Sequence, residues 1–117
     1  MDIQALRDEI RQFCEERDWR QYHNPKDLAL ALSIEASELM ELFLWQSDAD
    51  AIQKTAANKR EAIEAEVADI AIYLLDLVEV MDLDLEQAIR RKLAHNREKY
   101  PIHLAKGKNL KYDELES

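Results

Sequence analysis

The sequence predicts an all-α protein, an antiparallel bundle of four main helices with a short extra helix. Three observations predict it. The 117 residues include one Gly and two Pro, too few for the tight turns that short strands require. Apolar residues make up 47% of the chain, enough to fill a core and more than a disordered acidic segment carries. Those apolar residues also recur at helical rather than alternating spacing. The length suits a single domain over residues 1–117, and no repeat, low-complexity stretch or linker divides it.

The first helix is expected from Asp2 to about Arg17, with Ile3, Leu6, Ile10 and Phe13 as its inner face. Asn24-Pro25 reads as an N-cap followed by Pro at the first helical position. It opens a second helix through Leu28, Leu32, Leu39, Leu42 and Phe43 to about Trp45-Gln46. Ser47-Asp48 caps the short extra helix, which runs to Ala57. The third long helix spans roughly Lys59 to Met81, and the fourth runs from Leu85 to about Tyr100, where Pro101 stops it. Asp84 with Gln87 has the form of a capping box. The tail 102–117, with lysines around the only glycine, Gly107, is expected to be irregular.

Charge and composition exclude several functions. Sixteen basic against 25 acidic residues leave a formal charge of −9, which repels a nucleic-acid polymer or an anionic membrane. No run approaches the length of uncharged apolar residues that spans a bilayer. The start MDIQALRDEI lacks the apolar core of a signal peptide. The lone Cys14 cannot form an internal disulfide and reads as a buried, reduced thiol of a cytoplasmic protein. Met40, Leu44, Leu75 and Val78 fall on outer helix faces, so a homo-oligomer is expected.

Acidic residues interrupt the apolar stripes where a solvated face does not explain them. With Glu35 at zero, Leu28, Leu39 and Leu42 project to about 20°, 40° and −20°, and Glu38 to about −60°. The third helix repeats the pattern: with Glu66 at zero, Ile70, Tyr73 and Leu77 fall at about 40°, −20° and 20°, and Asp69 at about −60°. Burying ionised carboxylates costs several kcal/mol unless something compensates them. Protonation, Lys or Arg partners, or a bound metal can each do so. Metal is favoured, and an all-oxygen donor set suits Mg²⁺, with Mn²⁺ the alternative. Zinc would want Cys or His, and no histidine has a Glu three residues before it, as a di-iron bundle requires. On the fourth helix Lys92, Asn96 and Lys99 continue the apolar stripe of Leu85 and Ile89. Lys92 either pairs with a buried acid or binds ligand phosphate, with Asn96 and Tyr100 as further donors. A net-negative protein that gathers metal and a few cations on one inner face suits a nucleoside triphosphate.

Ile34-Glu35-Ala36-Ser37-Glu38-Leu39 followed by Glu66-Val67-Ala68-Asp69 resembles the E-x-x-E then E-x-x-D signature of the MazG-like, all-α nucleoside triphosphate pyrophosphohydrolases. Arg17-Asp18-Trp19-Arg20-Gln21-Tyr22-His23, Glu41-Leu42-Phe43-Leu44-Trp45-Gln46 and Lys99-Tyr100-Pro101 resemble the dCTP pyrophosphatase branch more closely. The resemblance implies Mg²⁺-dependent cleavage of a dNTP, dCTP or a modified dCTP foremost, between the α- and β-phosphates by a metal-bound water. A broader house-cleaning activity on noncanonical nucleotides is the alternative within enzymes, and a non-catalytic helical interaction module the alternative outside them. It maps metal binding and catalysis to Glu35, Glu38, Glu66 and Asp69, with Glu38 as proton acceptor. Phosphate maps to Lys92 and Tyr100, and the base and sugar to Trp19, His23, Trp45, Tyr73 and Asn96. Trp19 is placed to stack on a pyrimidine, His23 to bond a base edge or cap the next helix, and Trp45 to line the pocket or fill a core or interface. A homodimer or homotetramer is implied. Two departures stand out: Ile34 occupies a position where many MazG-like chains have Glu, and Lys108-Asn109 replaces serines of the dCTP branch.

Overall fold

A computed structural model describes residues 1–115. Among the described residues every regular element is helical: α1 (Ile3–Glu16), α2 (Pro25–Glu41), α3 (Ala49–Asn58), α4 (Arg60–Val80), α5 (Leu85–Lys99) and α6 (Ile102–Ala105). One-turn 3₁₀ segments lie at Arg20–Tyr22 and Tyr112–Glu114. The chain divides into two compact units, Met1–Asp82 and Leu83–Ser117.

The helix starts follow local chemistry. Asp2, Asn24, Asp48 and Asp84 each accept a hydrogen bond from the backbone N–H three residues on, which satisfies a donor that the first helical turn leaves free. The capping box at α5 is only half made, because the Gln87 side chain accepts from Arg91 at 2.8 Å instead of reaching back. With one glycine to spend, the chain reverses through other residues. Asp18, Trp45 and Asp82 all take positive φ (56°, 67° and 49°), a conformation that Asp tolerates and a bulky indole resists.

α2 stops at Glu41 instead of reaching Gln46. The N–H groups of Leu42, Phe43 and Leu44 bond carbonyls three residues back, the tightened turns of a fraying end. The positive φ of Trp45 then turns the chain out of the helix.

In the first unit α4 is the central helix, packed against α1, α2 and α3. It runs antiparallel to α2, since Lys59 at its start donates to the Leu42 carbonyl (3.4 Å). It also runs antiparallel to α1, where Arg7 and Arg11 meet Glu79 (2.8 and 3.3 Å) and Cys14 meets Asp76. Being covered on two sides corrects the expected outward pair on α4: Leu75 and Val78 are buried, at 7% and 2% exposure. Met40 and Leu44 do face outward.

The inner face of α1 is also rotated from expectation. Ile3, Leu6 and Phe13 are exposed and Ile10 is half-buried, whereas Cys14 is buried. The contact runs through Arg7, Arg11 and Cys14, spaced at i, i+4 and i+7. The Arg7 and Arg11 guanidinium groups bond Glu79 across this contact, and Phe13 adjoins α4 only at the cavity that it lines with Ile72, Tyr73 and Asp76.

In the second unit α5 ends where Tyr100 donates its N–H to the Asn96 carbonyl (2.8 Å). The tail, expected to be irregular, contains α6 and a 3₁₀ turn. Pro101 supplies the fixed φ that opens α6. Lys99 lies over the Tyr112 ring, 4.6 Å from its centroid, a cation–π contact that ties the tail to α5. Residues 116 and 117 lie outside the described residues.

Candidate active site

Glu35 and Glu38 lie one turn apart on α2, and Glu66 lies on the antiparallel α4 facing them. A carboxylate oxygen from each falls within 4.8 Å of the others. Glu35 and Glu66 are half-buried, and Glu38 is exposed. One oxygen each of Glu35 and Glu66 is buried without a hydrogen-bond partner. Contact with the Glu66 carboxyl, and then loss of water, pushes the Glu35 carboxyl above the ordinary carboxylate range. Glu38 is raised in turn, chiefly by Glu35 beside it.

Clustered like charges and orphaned oxygens are costly in an apolar setting, and no described Lys or Arg forms an ion pair with them. The donor set fits a hard divalent cation. Three carboxylates each offer an oxygen within 4.8 Å of the others, and the two unpartnered oxygens are free to ligate.

Asp69 stands one turn after Glu66 on α4. It is close enough to Glu35 to add to the rise of that carboxyl, but it does not join the three-oxygen cluster. It lines an adjoining cavity of about 200 Å³ with Phe13, Cys14, Trp19, His23, Ile72, Tyr73 and Asp76. Three of the residues expected to hold a base or sugar, Trp19, His23 and Tyr73, therefore share one hollow. Trp19 is braced edge-on by Phe13 (centroids 5.5 Å, 76°) and lies 6.1 Å from the His23 ring. Its indole remains 42% exposed, so an aromatic surface is held in place but not covered. The neighbouring charges of Glu35 and Asp69 add to burial in raising the Tyr73 hydroxyl, which stays a neutral donor.

The helix cap expected of His23 as one option is made by Asn24 instead. His23 turns to Asp76, its Nδ1 lying 2.7 Å from Oδ2. Arg20 donates to the other oxygen of the same carboxylate. Asp76 is 2% exposed, and neither it nor Arg20 was expected at the site from the sequence. The available signal was a solitary acid in the apolar run Ile70–Val78, one turn beyond Tyr73. Burial and proximity to Asp76 together push the Cys14 thiol up, and the cysteine is buried as expected.

Trp45 lies outside the cavity and is 90% exposed on its strained turn. Lys92, Asn96 and Tyr100 belong to the second unit. There Lys92 is exposed, Asn96 is half-buried within α5, and Tyr100 closes the helix.

Known proteins resemble this chain in sequence and fold. The MazG-like family matches residues 30–115. The chain is 43% identical over 115 residues to dCTP pyrophosphatase 1 of Rattus norvegicus and 42% identical to that of Homo sapiens, covering 97% of its own length in both. It spans 66% of the length of those relatives. A crystal structure of a pyrophosphatase from Archaeoglobus fulgidus superposes with a TM-score of 0.82 at 39% identity, over 84% of this chain and 91% of the other. Glu35, Glu38, Glu66, Asp69, Lys92 and Tyr100 all fall inside the matched segment, and the chain belongs to the MazG-like family.

Proposed function

We propose that this protein is a divalent-metal-dependent nucleoside triphosphate pyrophosphohydrolase that converts a dNTP, dCTP or a modified dCTP foremost, to the monophosphate and pyrophosphate. One observation carries the proposal: three acids converge on α2 and α4 with two buried oxygens unpartnered, beside a hollow walled by Trp19, His23 and Tyr73. Relatives named dCTP pyrophosphatase 1 support the choice of substrate.

Glu35, Glu38 and Glu66 would hold the cation, with Asp69 at the rim, and Mg²⁺ or Mn²⁺ suits their oxygens. When bound, the cation offsets the charge of the triphosphate against the acids and activates water. The chain's own residues do the rest. Lys92 and Tyr100 hold phosphate oxygens, and Asn96 bonds the sugar. Trp19 and Tyr73 flank the base, while His23 meets its edge. Water attacks the α-phosphorus, the bond to the oxygen bridging the β-phosphorus breaks, and pyrophosphate departs. Glu38 takes the proton from the attacking water, because it is the exposed member of the three and the one that solvent reaches. No Ser or Cys nucleophile is needed.

Residues 1–117 act as one functional domain in this proposal, and the protein works as a homodimer or homotetramer. Met40, Leu44 and Trp45, at 68%, 56% and 90% exposure, form the apolar surface at the end of α2 that a second copy would cover. Trp45 thereby reaches either the base or a neighbouring subunit.

The test is product analysis on a dNTP panel, including 5-modified dCTP and noncanonical nucleotides, with and without Mg²⁺. Reaction in ¹⁸O-labelled water should place the label in the monophosphate. Label in pyrophosphate, release of orthophosphate, or metal-independent turnover would refute the mechanism. A flat profile across the panel would favour the house-cleaning activity over a dCTP-directed one.

A further inference from the structure

We infer that Asp76 is a positioning residue that fixes the hydrogen-bonding sense of His23 and so selects a base edge that offers an N–H; the inference rests on the function proposed above. Asp76 is buried at the cavity floor with both oxygens engaged, Oδ1 by the Arg20 guanidinium and Oδ2 by His23 Nδ1 at 2.7 Å. A carboxylate paired with a guanidinium has only lone pairs to offer. His23 Nδ1 must therefore carry the hydrogen in that bond. In the neutral imidazole this leaves Nε2 as an acceptor.

Nε2 makes no hydrogen bond to any described residue, and the ring lines the same cavity as Trp19 and Tyr73. A pyrimidine with an exocyclic 4-amino group can donate to that nitrogen. A 4-keto pyrimidine would present an oxygen, setting two lone pairs against each other. The pocket thus reads amino against keto through a residue that does not itself touch the base.

The same geometry argues against a metal ion among Cys14, His23 and Asp76, although their ligand atoms cluster within 4.8 Å. Arg20 already supplies the cation on that carboxylate.

Arg20 also makes the test sharp. It is an obligate donor, so in Asp76→Asn it selects the amide oxygen and turns the amide NH₂ toward His23. Nδ1 must then accept, and the ring proton moves to Nε2, converting the acceptor into a donor. This is the tautomer error that an Asp→Asn change produces behind a catalytic histidine.

The experiment compares wild type, Asp76→Asn and His23→Ala with Mg²⁺, measuring kcat/KM for dCTP and dUTP, together with long-range ¹H–¹⁵N spectra of the His23 ring. Wild type should show the Nδ1–H form and prefer dCTP. Asp76→Asn should show the Nε2–H form and lose at least about tenfold of the dCTP-to-dUTP ratio, and His23→Ala should abolish that preference. An unchanged ratio in Asp76→Asn, an Nε2–H form in wild type, or a wild-type preference for dUTP would overturn the inference. A deoxycytidine triphosphate analogue lacking the 4-substituent gives a second arm on wild type alone, independent of how well Asp76→Asn folds. It should be hydrolysed at least about tenfold less efficiently than dCTP, and equal efficiency would overturn the inference. Wild type inactive on every dNTP would instead overturn the function proposed above. The ring spectra and the relative binding of dCMP and dUMP would then decide the inference by themselves.

Discussion

Removing the Asp76 carboxylate should cost more stability than any other single acid-to-alanine change in the first unit. Asp76 is 2% exposed and accepts one charge-assisted hydrogen bond from Arg20 and one from His23. Each such bond contributes about 1.5–3 kcal/mol. Arg20 keeps 25% of its side chain in water and His23 19%, so both can partly rehydrate, which places the loss toward the lower end of the sum. Asp76→Ala should therefore destabilise by about 3–4 kcal/mol. For a chain of this length that lowers Tm by about 10–15 °C. Circular dichroism melts and urea titrations at matched protein concentration measure both quantities. Asp76→Leu separates charge from volume, because it refills the site yet leaves Arg20 and His23 unpartnered; it should be no more stable than the alanine variant. A loss below about 1 kcal/mol in Asp76→Ala, or recovery in Asp76→Leu, would refute the assignment of the stability to the ion-paired network. Glu9, an exposed acid with no partner among the described residues, should change stability by no more than about 0.5 kcal/mol when replaced by alanine.

Glu35→Gln and Glu66→Gln should each abolish turnover and the rise of Tm on adding Mg²⁺ while the helical dichroism persists; a Tm rise equal to wild type would exclude that residue as a ligand. Protons should compete with the cation from a higher pH than at ordinary carboxylates, because Glu35 and Glu38 are raised; Mg²⁺ titrations at stepped pH measure this. Glu79 works in the opposite direction: Arg7 and Arg11 outweigh burial and hold its carboxyl below its ordinary 4.5. Its contribution is thus present above that pH and lost as pH falls through the lowered value, so Glu79→Gln should flatten the acid limb of the stability curve. Leu28→Ala, at 2% exposure on α2, should cost about 2–5 kcal/mol in a urea titration. Charged residues at Met40 and Leu44 should lower the oligomeric state seen by analytical ultracentrifugation, and an unchanged sedimentation coefficient would place the subunit contact elsewhere.

The local grammar of this chain was legible residue by residue. Asn24-Pro25, Asp48 and Asp84 each mark a helix start in the sequence and each makes its cap in the structure. Caps depend on the three or four residues that follow, so no distant contact is required. Glu35, Glu38 and Glu66 were legible for a related reason: an acid inside an apolar stripe violates the helical period, and the violation is visible without coordinates. The end of α2 was not legible, because nothing in Phe43-Leu44-Trp45 forbids a helix, yet the chain tightens after Glu41 and turns away at the positive φ of Trp45.

Helical spacing in α1 singles out Ile3, Leu6, Ile10 and Phe13, yet α4 meets Arg7, Arg11 and Cys14, because Glu79 and Asp76 await them across the interface. A projection of one helix cannot see the charge on another. For the same reason the sequence does not single out Asp76, although it holds Arg20 and His23 from a different stretch of chain.

The sequence by itself determined that the chain is helical, where most helices begin, and which acids sit among apolar neighbours, since these follow from short-range periodicity and capping. Tertiary structure alone decided which side of each helix is covered, that Asp69 stands beside the three-acid cluster and not within it, and that His23 is held by Asp76. Those outcomes depend on two helices meeting, and the energy of a buried charge is set by what lies across the gap from it, not by its neighbours along the chain.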